Sequence, residues 1–229
     1  MALVAVFDEG IGCGLIIDGR VYRGGHGMAA EIGHLTADCT LAPQRQRPPP
    51  GPSQRSRFKD PCPCGQYGHV DALATPARIL GELGRSDLQE AANLPSHSRE
   101  GKQTVAAQTF ETAGTALGRG LTALINIINP ARIILLLPMA LADPAPETAG
   151  RKYLEAVEAT VDQAFSTGPL DARAHETALT IHRLEQLDDR ALDQPIEVIG
   201  ARGAAITVLD AFIDHARGTW TRSRLEGGD

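Results

Sequence analysis

The chain has 229 residues, 42% of them hydrophobic and 22% charged, a balance that excludes general disorder. At roughly 100–200 residues per domain, it holds one large domain or two small ones. It carries 22 Lys+Arg against 28 Asp+Glu, a formal net charge of -6, and only 4% aromatic residues. A surface that binds nucleic acid throughout needs clustered positive charge and stacking rings, which this composition does not supply.

The predicted elements begin almost at the first residue. Residues 3–7 read as an apolar strand, and a core strand without a lead-in points to a fragment of a longer protein. Asp8 and Glu9 follow at once, so the stretch has neither the basic leader nor the length of a secretory signal. A second strand is expected at Cys13–Ile17 and a third at Arg20–Tyr22. Asp18-Gly19 joins them as a hairpin turn, because glycine accepts the positive φ such turns require. Residues 24–33 are rich in Gly and Ala and read as an irregular loop with close backbone approaches. From Pro43 to Pro63 the character changes. Seven of the 15 prolines and five of the 22 basic residues (Arg45, Arg47, Arg55, Arg57, Lys59) fall there. Residues 40–61 therefore read as a flexible Pro/Arg-rich insertion that cannot bury enough apolar area to offset its ordering entropy. Its charge would suit an acidic surface, and a solvated loop is the simpler account.

Helices dominate after Cys64. One is expected over Asp71–Leu83, broken or restarted at Thr75-Pro76. The clearest covers residues 103–128, where Ala106, Phe110, Ala113, Leu117, Leu121, Leu124 and Ile128 recur at spacings of three and four and make one apolar face. Gly114, Gly118 and Gly120 within it indicate close packing against another backbone, and Pro130 ends it. Residues 132–137 read as a buried strand, and their apolar run is far short of the ~20 residues that cross a bilayer. A helix over 147–166, a strand near 178–182 and a last helix over 197–217 complete the pattern. Strands first, then alternating helices and a strand, indicate an α/β layered fold. No membrane association is expected and the location is read as cytoplasmic. There the four cysteines (Cys13, Cys39, Cys62, Cys64) serve as free thiols or metal ligands rather than disulfides.

Three groups of residues could carry chemistry. In Cys62-Pro-Cys64-Gly-Gln-Tyr-Gly-His69 the proline and glycines make a stiff turn that aims both sulfurs at one point, with His69, His34 and Cys39 available to complete a tetrahedral zinc set. The alternative is a pair of unmetallated loop thiols. Glu31 and His34 form the second group. A carboxylate accepts two hydrogen bonds, which suits a sugar diol, and a histidine can hold a metal through one nitrogen and a ligand through the other. A solvated loop pair would look the same. Gly10, Gly12 and Gly14 could let backbone N–H groups approach a phosphate, or could simply belong to a hairpin. The lysine and following helix of a phosphate-binding P-loop are missing.

Together these stretches resemble the ROK family (repressors, open reading frames and kinases). The resemblance rests on Gly10-Ile-Gly-Cys-Gly14 running to Gly24, Ala30-Glu-Ile-Gly-His34, Cys62-Pro-Cys-Gly-Gln-Tyr-Gly-His-Val-Asp71, the junction at Asn126–Ile134, and Gly200-Ala-Arg-Gly-Ala-Ala205. It implies an actin-like ATPase (ribonuclease H-like) lobe with a mixed sheet flanked by helices, spanning 1–229 as a single C-terminal lobe. It implies a structural zinc held by His34, Cys62, Cys64 and His69, with His69 standing where the family has a third cysteine. It assigns sugar hydroxyls to Glu31, His34 and Asp71, the last one methylene shorter than the usual Glu, and treats Gly10, Gly12 and Gly14 as the remnant of a phosphate loop. The family's kinases also carry a D-x-G-x-T loop and an Asn-Asp pair that supplies the base, and this chain has neither. Leu137-Pro138 stands where they have a glycine pair beside the nucleotide. The expectation is therefore the sugar-sensing lobe of a ROK-type transcriptional regulator, self-associating and without direct DNA binding of its own. The alternatives are the C-terminal lobe of an ATP-dependent sugar kinase and a zinc-stabilised assembly module that binds nothing.

Overall fold

The computed structural model describes residues 1–38, 61–166 and 177–184. Cys39, the expected insertion apart from Pro61, and the helix expected over 197–217 lie outside the described residues.

The fold grows from a hairpin. Strand β1 (Ala2–Val6) runs antiparallel to β2 (Ile11–Ile17), in a register that starts at Ala2↔Leu15 and ends at Val6↔Ile11. The Phe7 N–H closes the turn on the Gly10 carbonyl at 2.9 Å. Asp18 and Gly19, with φ of 51° and 73°, then turn the chain into β3 (Arg20–Tyr22). Two positive φ values in succession match the hairpin twist, and Asp and Gly tolerate them. The other edge of β1 pairs in parallel with β4 (Arg132–Leu137), which pairs in parallel with β5 (Ala178–Arg183). The order β3-β2-β1-β4-β5 puts the first strand at the centre of a mixed sheet. All five residues of β1 are 0% exposed, and a strand covered on both faces needs an unbroken apolar sequence.

Helices α1 (Asp71–Ala74), α2 (Pro76–Leu83), α3 (Leu88–Ala92), α4 (Val105–Ile128), α5 (Met139–Ala142) and α6 (Ala149–Ser166) fill the connections. Ala2, Val4, Val6, Ile133, Leu135 and Leu137 face them in the main core. Leu3, Ala5, Ile134 and Leu136 point to the opposite face, where Phe7, Ile16 and Val21 pack on them and no described helix contributes. Thr104 caps α4 by accepting the Ala107 N–H at 3.2 Å. Asn129 ends α4 with φ of 47°, and Pro130 prevents its continuation. The close packing expected at the helix glycines is present. A Cβ on Gly114 would overlap the Tyr153 carbonyl oxygen, and one on Gly118 would lie 2.6 Å from Thr160 Cβ, so α4 and α6 meet backbone to backbone. Tyr153 is wholly buried between them and donates its hydroxyl to the Ala74 carbonyl at 3.1 Å.

The break expected at Thr75-Pro76 is present, since α1 ends at Ala74 and Pro76 opens the first turn of α2. Other expectations need correction. The second strand begins at Ile11 rather than Cys13, since pairing with β1 draws Ile11 and Gly12 into the ladder. Helices α3 and α5 were not expected, being too short to show a period. Ile128, expected on the inward face of the long helix, is 36% exposed at its end. No described helix is long and apolar enough to cross a membrane.

Candidate functional site

Two irregular segments meet above the β1–β2 hairpin. The first runs from Gly24 to a 3₁₀ turn at Ile32–His34. Ala30 adopts φ of 67°, and Ile32 is anchored in the core at 3% exposure, which leaves Glu31 and His34 half-exposed on the outside of the turn. The second is the Cys62 knuckle. Its turn is closed by Gly65 N–H to the Cys62 carbonyl at 2.7 Å and Cys62 N–H to the Gln66 carbonyl at 2.8 Å, with Gly65 and Gly68 at φ of 86° and 71°. Thr36 bridges His69 in antiparallel fashion, and the Ala37 and Val70 N–H groups bond across to Gly68 and Leu35 at 2.8 and 3.0 Å. Arg119 on α4 and Arg78 on α2 hold the Ala37 and Pro61 carbonyls at 2.6 and 2.8 Å, tying both segments to the helical layer.

This scaffold brings His34, Cys62, Cys64 and His69 together, with one ligand atom from each all within 4.8 Å of one another. His34 Nδ1 lies 3.3 Å from Cys62 Sγ, and His69 Nδ1 lies 3.4 Å from Cys64 Sγ. A tetrahedral metal at ~2.3 Å from sulfur and ~2.0–2.1 Å from nitrogen places such ligands about 3.6 Å apart. The donor set and spacing fit a metal ion. Burial pushes the Cys62 thiol up to about 11, so ligation there would displace a proton. Burial, then the neighbouring His34, lowers the pKa of His69, favouring the neutral imidazole that ligates metals. Cys13 is the other free thiol among the described residues. It lies inside β2 under Glu31, and burial raises it to about 12.

His34 is two-sided. Its Nδ1 faces the thiols while Nε2 stands 4.0 Å from Glu31 Oε2. Asp71 begins α1 at 7% exposure, and its Oδ1 accepts the Ile11 N–H at 2.9 Å. Burial raises its pKa, opposed by the Ile11 hydrogen bond and by His34. The carboxylate lies so close to Gly33 that a Cβ there would overlap Oδ1, which explains the glycine between Ile32 and His34. Asp71 thus joins the 3₁₀ turn to the hairpin. Gly12 and Gly14 sit inside β2 opposite Ala5 and Leu3, and Gly10 closes the hairpin turn.

Sequence reasoning missed a cavity of about 450 Å³ beside Glu31. Its floor is Leu15 and Leu124, and its walls include Tyr22, Met28, Ile127 and Ile128. Glu31 lines it, whereas His34 and Asp71 do not. These residues come from two distant stretches, 15–35 and 124–128, and only the misassigned Ile128 hinted at it.

The mixed sheet with its crossover helices is the lobe architecture of the actin-like ATPase fold. Solved structures that match include a ROK hexokinase from Thermus thermophilus, at a TM-score of 0.55 and 22% identity over 94% of this chain and 58% of that one. A ROK family transcriptional regulator homologous to the Escherichia coli MLC protein matches at a TM-score of 0.50 and 18% identity, covering 92% of this chain and 46% of that one. The ROK family model matches residues 2–176, and the chain belongs to the ROK family. Curated relatives include the xylose repressor of Bacillus subtilis, 31% identical over 64% of this chain and 35% of the relative. The transcriptional dual regulator NagC of Escherichia coli is 26% identical over 56% of this chain and 29% of its own length. The chain spans about a third of the length of the curated relatives it matches.

Proposed function

We propose that the chain is the C-terminal, sugar-sensing lobe of a ROK-type transcriptional regulator, with a structural zinc organising the sugar site. The observation that carries this reading is the two-sided His34, set between the Cys62–Cys64–His69 cluster and the Glu31 carboxylate. Zinc held by two thiolates and two neutral imidazoles would form a centre of no net charge and would fix the tautomer and ring angle of His34. Glu31 and the outer nitrogen of His34 would then receive sugar hydroxyls, and Asp71 would hold the turn that presents them. The names of the relatives, xylose repressor and NagC, support a sugar-responsive regulator.

The same His34 gives the test. His34→Gln is expected to lower zinc content well below one per chain and to weaken binding of xylose or N-acetylglucosamine at least tenfold. Metal analysis of protein purified without chelator and calorimetry read the two effects. Loss of one without the other breaks the coupling and the reading with it. Absence of sequence-specific DNA binding by these 229 residues is also expected in a gel-shift assay.

The kinase alternative is weaker at the end of β4. Leu137 is fully buried and Pro138 follows it directly into α5, in the place where the family resemblance expects a glycine pair. A bulky pair there leaves less room for a nucleotide base. ATP-dependent phosphorylation of a sugar by the full gene product would favour the kinase instead.

A further inference from the structure

The cavity beside Glu31 does not match a bare monosaccharide. Among the described residues, seven large hydrophobic side chains are exposed, and four of them, Tyr22, Met28, Ile127 and Ile128, converge on this one hollow. Ile127 is 73% exposed and Met28 54%, which is costly unless something apolar covers them. The hollow measures about 450 Å³, and sites of about 300–1,000 Å³ hold drug-sized ligands. Its charged or titratable side chains are confined to Glu31, His26 and the Tyr22 hydroxyl. A free sugar carries a hydroxyl on nearly every carbon. Seated here, most of those hydroxyls would lose water against Met and Ile side chains and gain no partner. Glu31 belongs to both places, since it lines the cavity and also stands 4.0 Å from His34 Nε2.

We propose that the effector is a glycoside with an apolar aglycone, its sugar hydroxyls on Glu31 and His34 and its aryl or alkyl group in the cavity walled by Tyr22, Met28, Ile127 and Ile128. The inference rests on the sugar-sensing reading and specifies which sugars that site prefers. Glu31 is the pivot, with polyol on its His34 side and hydrocarbon on the other. Discrimination between a glycoside and its free sugar then comes from burying apolar area that a free sugar cannot bury.

The test compares methyl and phenyl glycosides of xylose and of N-acetylglucosamine by calorimetry on the full chain. The phenyl glycoside of the recognised sugar is expected to bind at least tenfold tighter than the methyl glycoside. Ile127→Asp, at a position 73% exposed, is expected to remove that gain and spare the methyl glycoside, with an unchanged melting temperature as the check on folding. Met28→Ser is the second variant, with the same expectation. Saturation-transfer NMR is expected to show aglycone protons receiving more magnetisation than sugar protons. Equal affinities for the two glycosides, both weakened by Glu31→Gln, would overturn this inference and leave the sugar reading standing. Binding of neither glycoside would overturn the sugar reading and this inference with it. If Ile127→Asp changes oligomeric state while both affinities stay fixed, the hollow is a face between subunits and the inference is overturned.

Discussion

Gly33 has no room for a side chain. A methyl group there would overlap Asp71 Oδ1, which is held by the Ile11 N–H at 2.9 Å. Gly33→Ala is expected to cost about 1–3 kcal/mol. In a chain of this size each kcal/mol lowers the melting temperature by about 2–4 °C. Pairing it with Asp71→Ser is expected to cost less than the sum of the single changes, because the second removes the obstruction; additive melts would show that the contact is not the cause. Thiol chemistry separates the cysteines at the same scale. With its thiol pushed up to about 12 by burial, Cys13 is expected to resist maleimide in the folded chain, while the exposed Cys64 is expected to react in metal-free protein. Peptide mapping by mass spectrometry reads each residue separately. At this scale the sequence was informative where neighbours are local, as at Asp18-Gly19 and in the Cys62–His69 knuckle. It said nothing of the Asp71 bond to Ile11, because no local pattern records a contact between residues 60 apart.

Among the elements, α4 and α6 carry a matched pair of glycine predictions. Gly114→Ala would drive a methyl into the Tyr153 carbonyl and push the two helices apart, with an expected loss of about 1–3 kcal/mol. Gly81 lies within α2 with nothing within 4 Å of where its Cβ would stand. Gly81→Ala is therefore expected to stabilise by about 0.5–1 kcal/mol, since alanine loses less backbone freedom on folding. Thermal melts of the two variants should move in opposite directions, and a shared direction would show that helix packing does not decide the sign. The long helix and the strand over 132–137 were readable because period and burial agree along them. Helices α3 and α5 span five and four residues, too short for a period to develop, and depend on their neighbours instead. Ile128 obeys the spacing rule, yet the helix runs past the layer that would cover it, so the period continues where the burial stops.

For the whole molecule, the proposed metal site would work as a clasp. The knuckle joins the 3₁₀ turn through side chains as well as backbone, and is anchored on α2 and α4 by Arg78 and Arg119. Removing metal with a chelator is expected to lower the melting temperature and to weaken sugar binding together, and zinc alone should restore both. Recovery of stability without recovery of binding would separate clasp from pocket. The layer architecture was legible in the order of strands and helices, whereas the apolar hollow was not, because Tyr22, Met28 and Ile127 become neighbours only after folding. The strand order carries one more consequence. β1 is made long before β4, yet its second edge is completed only by Ile133–Leu136. During synthesis the β1–β2 hairpin must wait, with one backbone edge unpaired, until residues 132–137 have left the ribosome. Such long-range closure slows folding and invites chaperone capture of the nascent chain, so the centre of the finished sheet is its most vulnerable part while it is being made.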